Sequence, residues 1–126
     1  LTKLDLRDNQ ICGHLPSEIG RLTSLTNLFL HHNRLEGPLP AELGALTVLT
    51  DLDLCNNKFT GEIPSTLANL TNIEALSLHS NNFDTDVPPE EVYEEDVQQY
   101  LAWLKSPDSE HPFPSGYVFN KNESDY

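Results

Sequence analysis

Residues 25–48 read LTNLFLHHNRLEGPLPAELGALTV, and the rest of the chain can be laid against this stretch. Written in rows of 24, the sequence runs 1–24, 25–48, 49–72 and then from 73 onward. Asn falls in one column (Asn9, Asn33, Asn57, Asn81) and Pro in another (Pro16, Pro40, Pro64, Pro88). A Gly column holds Gly13, Gly37 and Gly61 and breaks at Thr85. Seven columns are apolar, and 26 of their 28 cells hold Leu, Ile, Val or Phe; the exceptions, Glu91 and Glu94, both end the fourth row. The repeat is therefore expected to run through residue 88 (1–24, 25–48, 49–72 and a partial 73–88) and to give way to something else.

Physical reasons attach to each column. Leu4/Leu6, Leu28/Leu30, Leu52/Leu54 and Leu76/Leu78 alternate with polar neighbours, the pattern of a strand with one buried face. Rows in register stack such strands into a parallel sheet with ~4.8 Å between neighbours. Four strands are expected at 3–7, 27–31, 51–55 and 75–79. The Asn column falls at the turn, where an amide can bond otherwise unpaired backbone groups. The Pro column fixes φ after a second extended stretch. Segments such as 17–22 and 41–46 carry apolar residues at i and i+3, the spacing of one or two helical turns on the outer side. No row buries its apolar side alone, so each depends on its neighbours.

The row L-x-x-L-x-L-x-x-N-x-(L/I/F)-x-G-x-(L/I)-P-x-x-(L/I)-(G/A)-x-L resembles the plant-specific class of leucine-rich repeat, the kind found in ectodomains of receptor-like kinases and receptor-like proteins and in polygalacturonase-inhibiting proteins. The resemblance spans residues 1 to 88. It implies an α/β repeat fold: a right-handed solenoid of four repeats with a parallel concave sheet and a second short sheet at the G-x-(L/I)-P segment. It also implies a protein-recognition module, a piece of a larger receptor-like or inhibitor-like protein, in an extracellular or cell-surface setting. A cytoplasmic setting is the alternative, and a structural packing piece with no free ligand is the alternative function.

After the repeats the composition changes. Pro89-Glu90-Glu91 reads as the start of a helix over 89–105, with Pro in the first turn and acids near the positive end of the dipole. Tyr93, Val97, Leu101 and Leu104 fall on one face, with Tyr100 and Trp103 beside them. Such a helix would cap the solenoid. The tail 106–126 is rich in Pro, Ser and Asp, with Phe113, Tyr117, Val118 and Phe119 as candidate anchors.

Charge narrows the partners. Twenty acidic against seven basic residues give a formal net charge of −13, the wrong sign for a nucleic-acid backbone or an anionic membrane surface. No apolar run approaches the ~18–20 residues of a membrane span. The chain contains no Met, which reads as a processed form or fragment. A peptide or protein partner is the expectation, with upstream repeats or another partner covering the apolar first row around Leu1, Leu4 and Leu6.

Strand residues between the buried Leu positions point to the concave face: Asp5 and Arg7; Phe29, His31 and His32; Asp53 and Cys55; Ser77 and His79. Phe29, a rigid aromatic among polar and charged neighbours, is a candidate contact residue. The column Arg7, His31, Cys55, His79 brings two imidazoles and a thiol onto adjacent rungs, with His32 close by. Side chains on parallel strands ~4.8 Å apart would have to bend inward to share one metal ion, so a solvated column is the expectation and no metal or cofactor is assigned. A Cys55–His79 nucleophile–base pair would lack an orienting third residue and oxyanion donors; no enzyme motif is present. Cys12 and Cys55 lie two rows apart, ~10 Å on the rung spacing, beyond disulfide reach. Asn69-Leu70-Thr71 and Asn122-Glu123-Ser124 are N-glycosylation sequons, usable only on the secretory route.

Overall fold

The computed structural model describes residues 1–106. In chain order the elements are β1 (Lys3–Asp5), β2 (Cys12–His14), a 3-10 turn (Ser17–Arg21), β3 (Asn27–Phe29), β4 (Arg34–Gly37), a second 3-10 turn (Ala41–Ala45), β5 (Asp51–Asp53), β6 (Lys58–Gly61), a third 3-10 turn (Ser65–Asn69), β7 (Ala75–Ser77), β8 (Asn82–Phe83), β9 (Val92–Tyr93) and α1 (Glu94–Lys105). One sheet has the order β1-β3-β5-β7-β9 and the other β2-β4-β6-β8. Rows pair in the 24-residue register, with Leu4 opposite Leu28, Leu28 opposite Leu52 and Leu52 opposite Leu76.

The concave strands are three residues long rather than the five expected. Ladder-type bonds continue beyond them, from Leu6 N–H to Phe29 O and from Leu30 N–H to Asp53 O (both 2.9 Å). The chain then turns through a left-handed residue in every row: Asp8, His32, Asn56 and Ser80 have φ of 55–59°. A short polar side chain tolerates that conformation better than a branched one.

The Asn column closes these turns. Asn57 Nδ2 donates to Leu54 O and Cys55 O of its own turn and to Leu30 O of the row before, while its Oδ1 accepts from Leu35 N–H. Asn33 and Asn81 repeat the arrangement. Where the Gly column breaks, Thr85 takes a new part: its Oγ1 accepts from Ile63 N–H at 2.9 Å.

Burial follows position in the stack. The seven apolar cells of the second and third rows are all buried, whereas Leu1 and Leu6 of the first row are 70% and 37% exposed. The far end is covered differently from the expectation. Residues 89–91 are not helical. Val92 and Tyr93 pair antiparallel with Leu76 and Ala75, and α1 starts only at Glu94, so Tyr93 belongs to a strand and not to the helix face. Pairing satisfies the backbone groups that the edge of β7 would otherwise present, and successive prolines at 88 and 89 disfavour helical backbone before them. From Glu94 on the expectation holds: three acids occupy the first turn and Lys105 the last. Val92, Val97, Tyr100, Leu101 and Leu104 are buried in the common core, with α1 lying on the third 3-10 turn and on β7, and Tyr100 Oη donates to Asp86 O at 2.8 Å.

Outer turns stack closely enough to dictate composition. A Cβ on Gly44 would lie 2.4 Å from Thr66 O and 2.7 Å from Thr66 Cβ. Ala68 sits in the same column without conflict, because α1 and not another 3-10 turn packs beyond it. Gly44→Ala is therefore expected to cost ~2 kcal/mol or more by overpacking, read as a fall in thermal midpoint. An unchanged midpoint would mean that the 3-10 turns can slide apart.

Candidate functional site

The concave face is built from the outward residues of β1, β3, β5 and β7 and the positions just after them. At its first row Arg7 and Asp5 form a bidentate pair, with Nε 2.9 Å from Oδ1 and Nη2 2.5 Å from Oδ2. The guanidinium hydrogen bonds hold the Asp5 carboxyl down at about 2. Both cations of this row lie against Phe29: Lys3 Nζ is 5.5 Å and Arg7 Cζ 5.1 Å from the ring centroid. Phe29 is thus a half-buried ring fixed by two cation–π contacts, less bare than an isolated concave aromatic would be.

On its other side Phe29 meets His31 edge-on at 6.0 Å, and His31 meets His32 edge-on at 5.3 Å. His31 Nδ1 lies 3.3 Å from Asp53 Oδ2, and His32 Nδ1 lies 3.0 Å from Asp8 Oδ1. Phe29, His31 and Asp53 are therefore drawn into one contiguous patch, with Asp5, Arg7 and His32 at its edge.

Two residues expected on the accessible surface are instead buried: Cys55 is 6% and Ser77 2% exposed. They, with His79, lie on the floor of a concavity of about 350 Å³ that Asp53, His31 and Glu91 also line. The antiparallel β9, which brings Glu91 in beside the fourth row, is the part of this site that periodicity does not announce; the failed apolar cell at 91 is its trace in the sequence.

Burial first, and then the Asp53 carboxylate, push the Cys55 thiol up to about 12. That is the wrong direction for a nucleophile. Cys12 is exposed, and both thiols are free. Iodoacetamide at pH 8 should accordingly label Cys12 first, with native Cys55 on the order of a hundredfold slower, as read by peptide mass spectrometry over time. Equal rates would place the Cys55 thiol in solvent. Among the described residues no three His, Cys, Asp or Glu side chains gather so as to hold a metal ion, the parallel projection of neighbouring rungs keeping them apart.

Asn69 is exposed at the end of the third 3-10 turn, in a column with exposed Arg21 and Ala45, away from the concave face. Asn122 and the candidate anchors Phe113, Tyr117, Val118 and Phe119 lie outside the described residues. No helix among the described residues is long and apolar enough to cross a membrane.

Repeated rows, paired sheets and an Asn-closed turn define a leucine-rich-repeat solenoid. The leucine rich repeat family model matches residues 1–22, 24–46 and 48–70, more than half of the sequence, and the chain belongs to the leucine-rich repeat family. No curated protein sequence matches it. Among solved structures it is similar to the plant peptide hormone receptor RGFR1 in complex with RGF2 (37% identity, TM-score 0.67, covering 71% of this chain and 14% of that one). It is also similar to the BIR3–SERK2 complex from Arabidopsis thaliana (34%, 0.59, 66% and 44%) and to a plant ice-binding protein (40%, 0.63, 66% and 27%). The chain spans less than half the length of each of these neighbours.

Proposed function

We propose that this chain is a recognition module that binds a peptide or protein on its concave face, with Asp5, Arg7, Phe29, His31, His32, Asp53, Cys55, Ser77 and His79 forming or flooring the contact surface. The observation that carries the reading is Phe29, an aromatic contacted by Lys3 and Arg7 in the middle of that face. A side chain already ordered before binding loses little entropy on contact, which is what a hot spot requires. The solved complexes of RGFR1 with RGF2 and of BIR3 with SERK2 support it at the level of the fold. The bidentate Asp5–Arg7 pair supplies a polar rim, and the His31–Asp53 contact a polar centre.

Selection of a displayed random-peptide library on the immobilised chain tests this reading. Enriched peptides should bind Phe29→Ala at least tenfold more weakly and Thr47→Ala, altered on an exposed outer turn, as well as the parent. Failure to enrich any peptide, or equal binding to Phe29→Ala with its circular dichroism intact, would favour the alternative in which the repeats only pack within a larger assembly.

A further inference from the structure

The concavity beside Phe29 has an acceptor-rich interior. Ser77 lies in the same column as Phe29 and Asp53, its neighbours Leu76 and Leu78 pointing into the core. Although only 2% exposed, it lines the concavity, and its Oγ makes no hydrogen bond with any described residue. A hydroxyl left so on the wall of the concavity is open to a ligand donor. Around it stand two carboxylates. Asp53 Oδ1 accepts Cys55 N–H at 3.1 Å, the Cys55 thiol also bonds this carboxylate and Oδ2 faces His31, which still leaves part of its four-site acceptor capacity. Glu91 Oε1 accepts from Tyr93 Oη, which leaves Oε2 for a ligand. Of the nearby cations, Arg7 is paired with Asp5 and reaches Asp53 only through space, and Lys3 lies against Phe29. Burial is the main cause of the raised Cys55 thiol, and the charges of Asp53 and, least, Glu91 add to it.

We propose that this concavity takes a basic side chain, a lysine ammonium or arginine guanidinium, of the peptide or protein bound on the concave face; the assignment rests on the peptide-binding reading above. Such a group is all donor and needs several acceptors. Asp53, Ser77 and Glu91 supply them at one place, and about 350 Å³ admits one long side chain. The apolar stem would then run toward Phe29, consistent with the way such side chains lay their methylenes on aromatic surface. The net charge of −13 would draw a basic partner in before contact.

Four synthetic decapeptide pools, each with a central Lys, Arg, norleucine or Glu and otherwise randomised, test the assignment when titrated against the fluorescently labelled chain at pH 8. The Lys and Arg pools should bind about tenfold more tightly than the norleucine pool, and the Glu pool most weakly. Asp53→Asn, Glu91→Gln and Ser77→Ala should each erode that preference, and Glu36→Gln on the second sheet should leave it intact. Phe29→Ala should weaken all four pools together. Equal binding of the Lys and norleucine pools, or a preference that survives Asp53→Asn and Glu91→Gln, overturns the assignment alone. Binding by none of the pools overturns it together with the peptide reading.

Discussion

Leu101→Asp should lower the urea midpoint more than any other single change considered for this chain. Leu101 is 4% exposed and packs with Val97, Tyr100 and Leu104 in the common core. The exchange removes ~1.5–3 kcal/mol of leucine burial and places a carboxylate among the apolar side chains of Val97, Tyr100 and Leu104. Together these reach ~4 kcal/mol or more, a large part of the ~5–15 kcal/mol that holds an ordinary domain together. Ala102→Asp, on the exposed side of the same turn, is the control and should stay within ~0.5 kcal/mol. Similar midpoints for the two would mean that α1 does not cover the solenoid end.

Asn57→Ala is the second large effect. One side chain satisfies three carbonyls, Leu30 O, Leu54 O and Cys55 O, and accepts from Leu35 N–H. The carbonyls keep second donors in Asn33 Nδ2, Asn81 Nδ2 and His32 N–H, so the group stranded is Leu35 N–H, and with the weakened turn the net loss should be ~2 kcal/mol. Asn9→Ala removes a side chain that bonds only Leu6 O and Arg7 O in an exposed turn, so it should cost far less. Lys58→Ala should fall within ~0.5 kcal/mol. Denaturant midpoints for the three variants make the comparison, and equal shifts for Asn57 and Asn9 would show that the bond to the preceding row contributes nothing.

Much of the architecture is legible in the residues because a repeat states its rule several times. The Leu-x-Leu columns locate the concave sheet, the Pro column marks the start of each 3-10 turn with φ between −76° and −61°, and the Asn column points to the turn it closes. What periodicity does not carry is whatever happens once. Strand β9 is two residues long and exists because β7 has an edge to satisfy, a condition set by residues about seventeen positions earlier in the chain. The helix start moves from Pro89 to Glu94 for the same reason.

The candidate site was legible to a similar depth. Alternation places Asp5, Phe29, Asp53 and Ser77 in one column. It cannot tell that Lys3 and Arg7 close on Phe29, since long flexible side chains choose partners in three dimensions. Nor can it tell that Cys55 and Ser77 sink to 6% and 2% exposure while Asp53 stays accessible. That gradient follows from Glu91 and β9, the non-repeating part. The sharp strand ends leave little trace in the sequence, because Asp, His, Asn and Ser in the 8/32/56/80 column share no signature beyond being polar, although all four take positive φ.

Amide shift mapping reads most directly which face does the binding. A peptide enriched by display would be titrated into the 15N-labelled chain. Concave-face recognition predicts that the largest shifts fall at 27–31, 51–55 and 75–79, with the outer turns at 17–21, 41–45 and 65–69 unmoved. Shifts concentrated on those outer turns, or spread evenly over the chain, would contradict it.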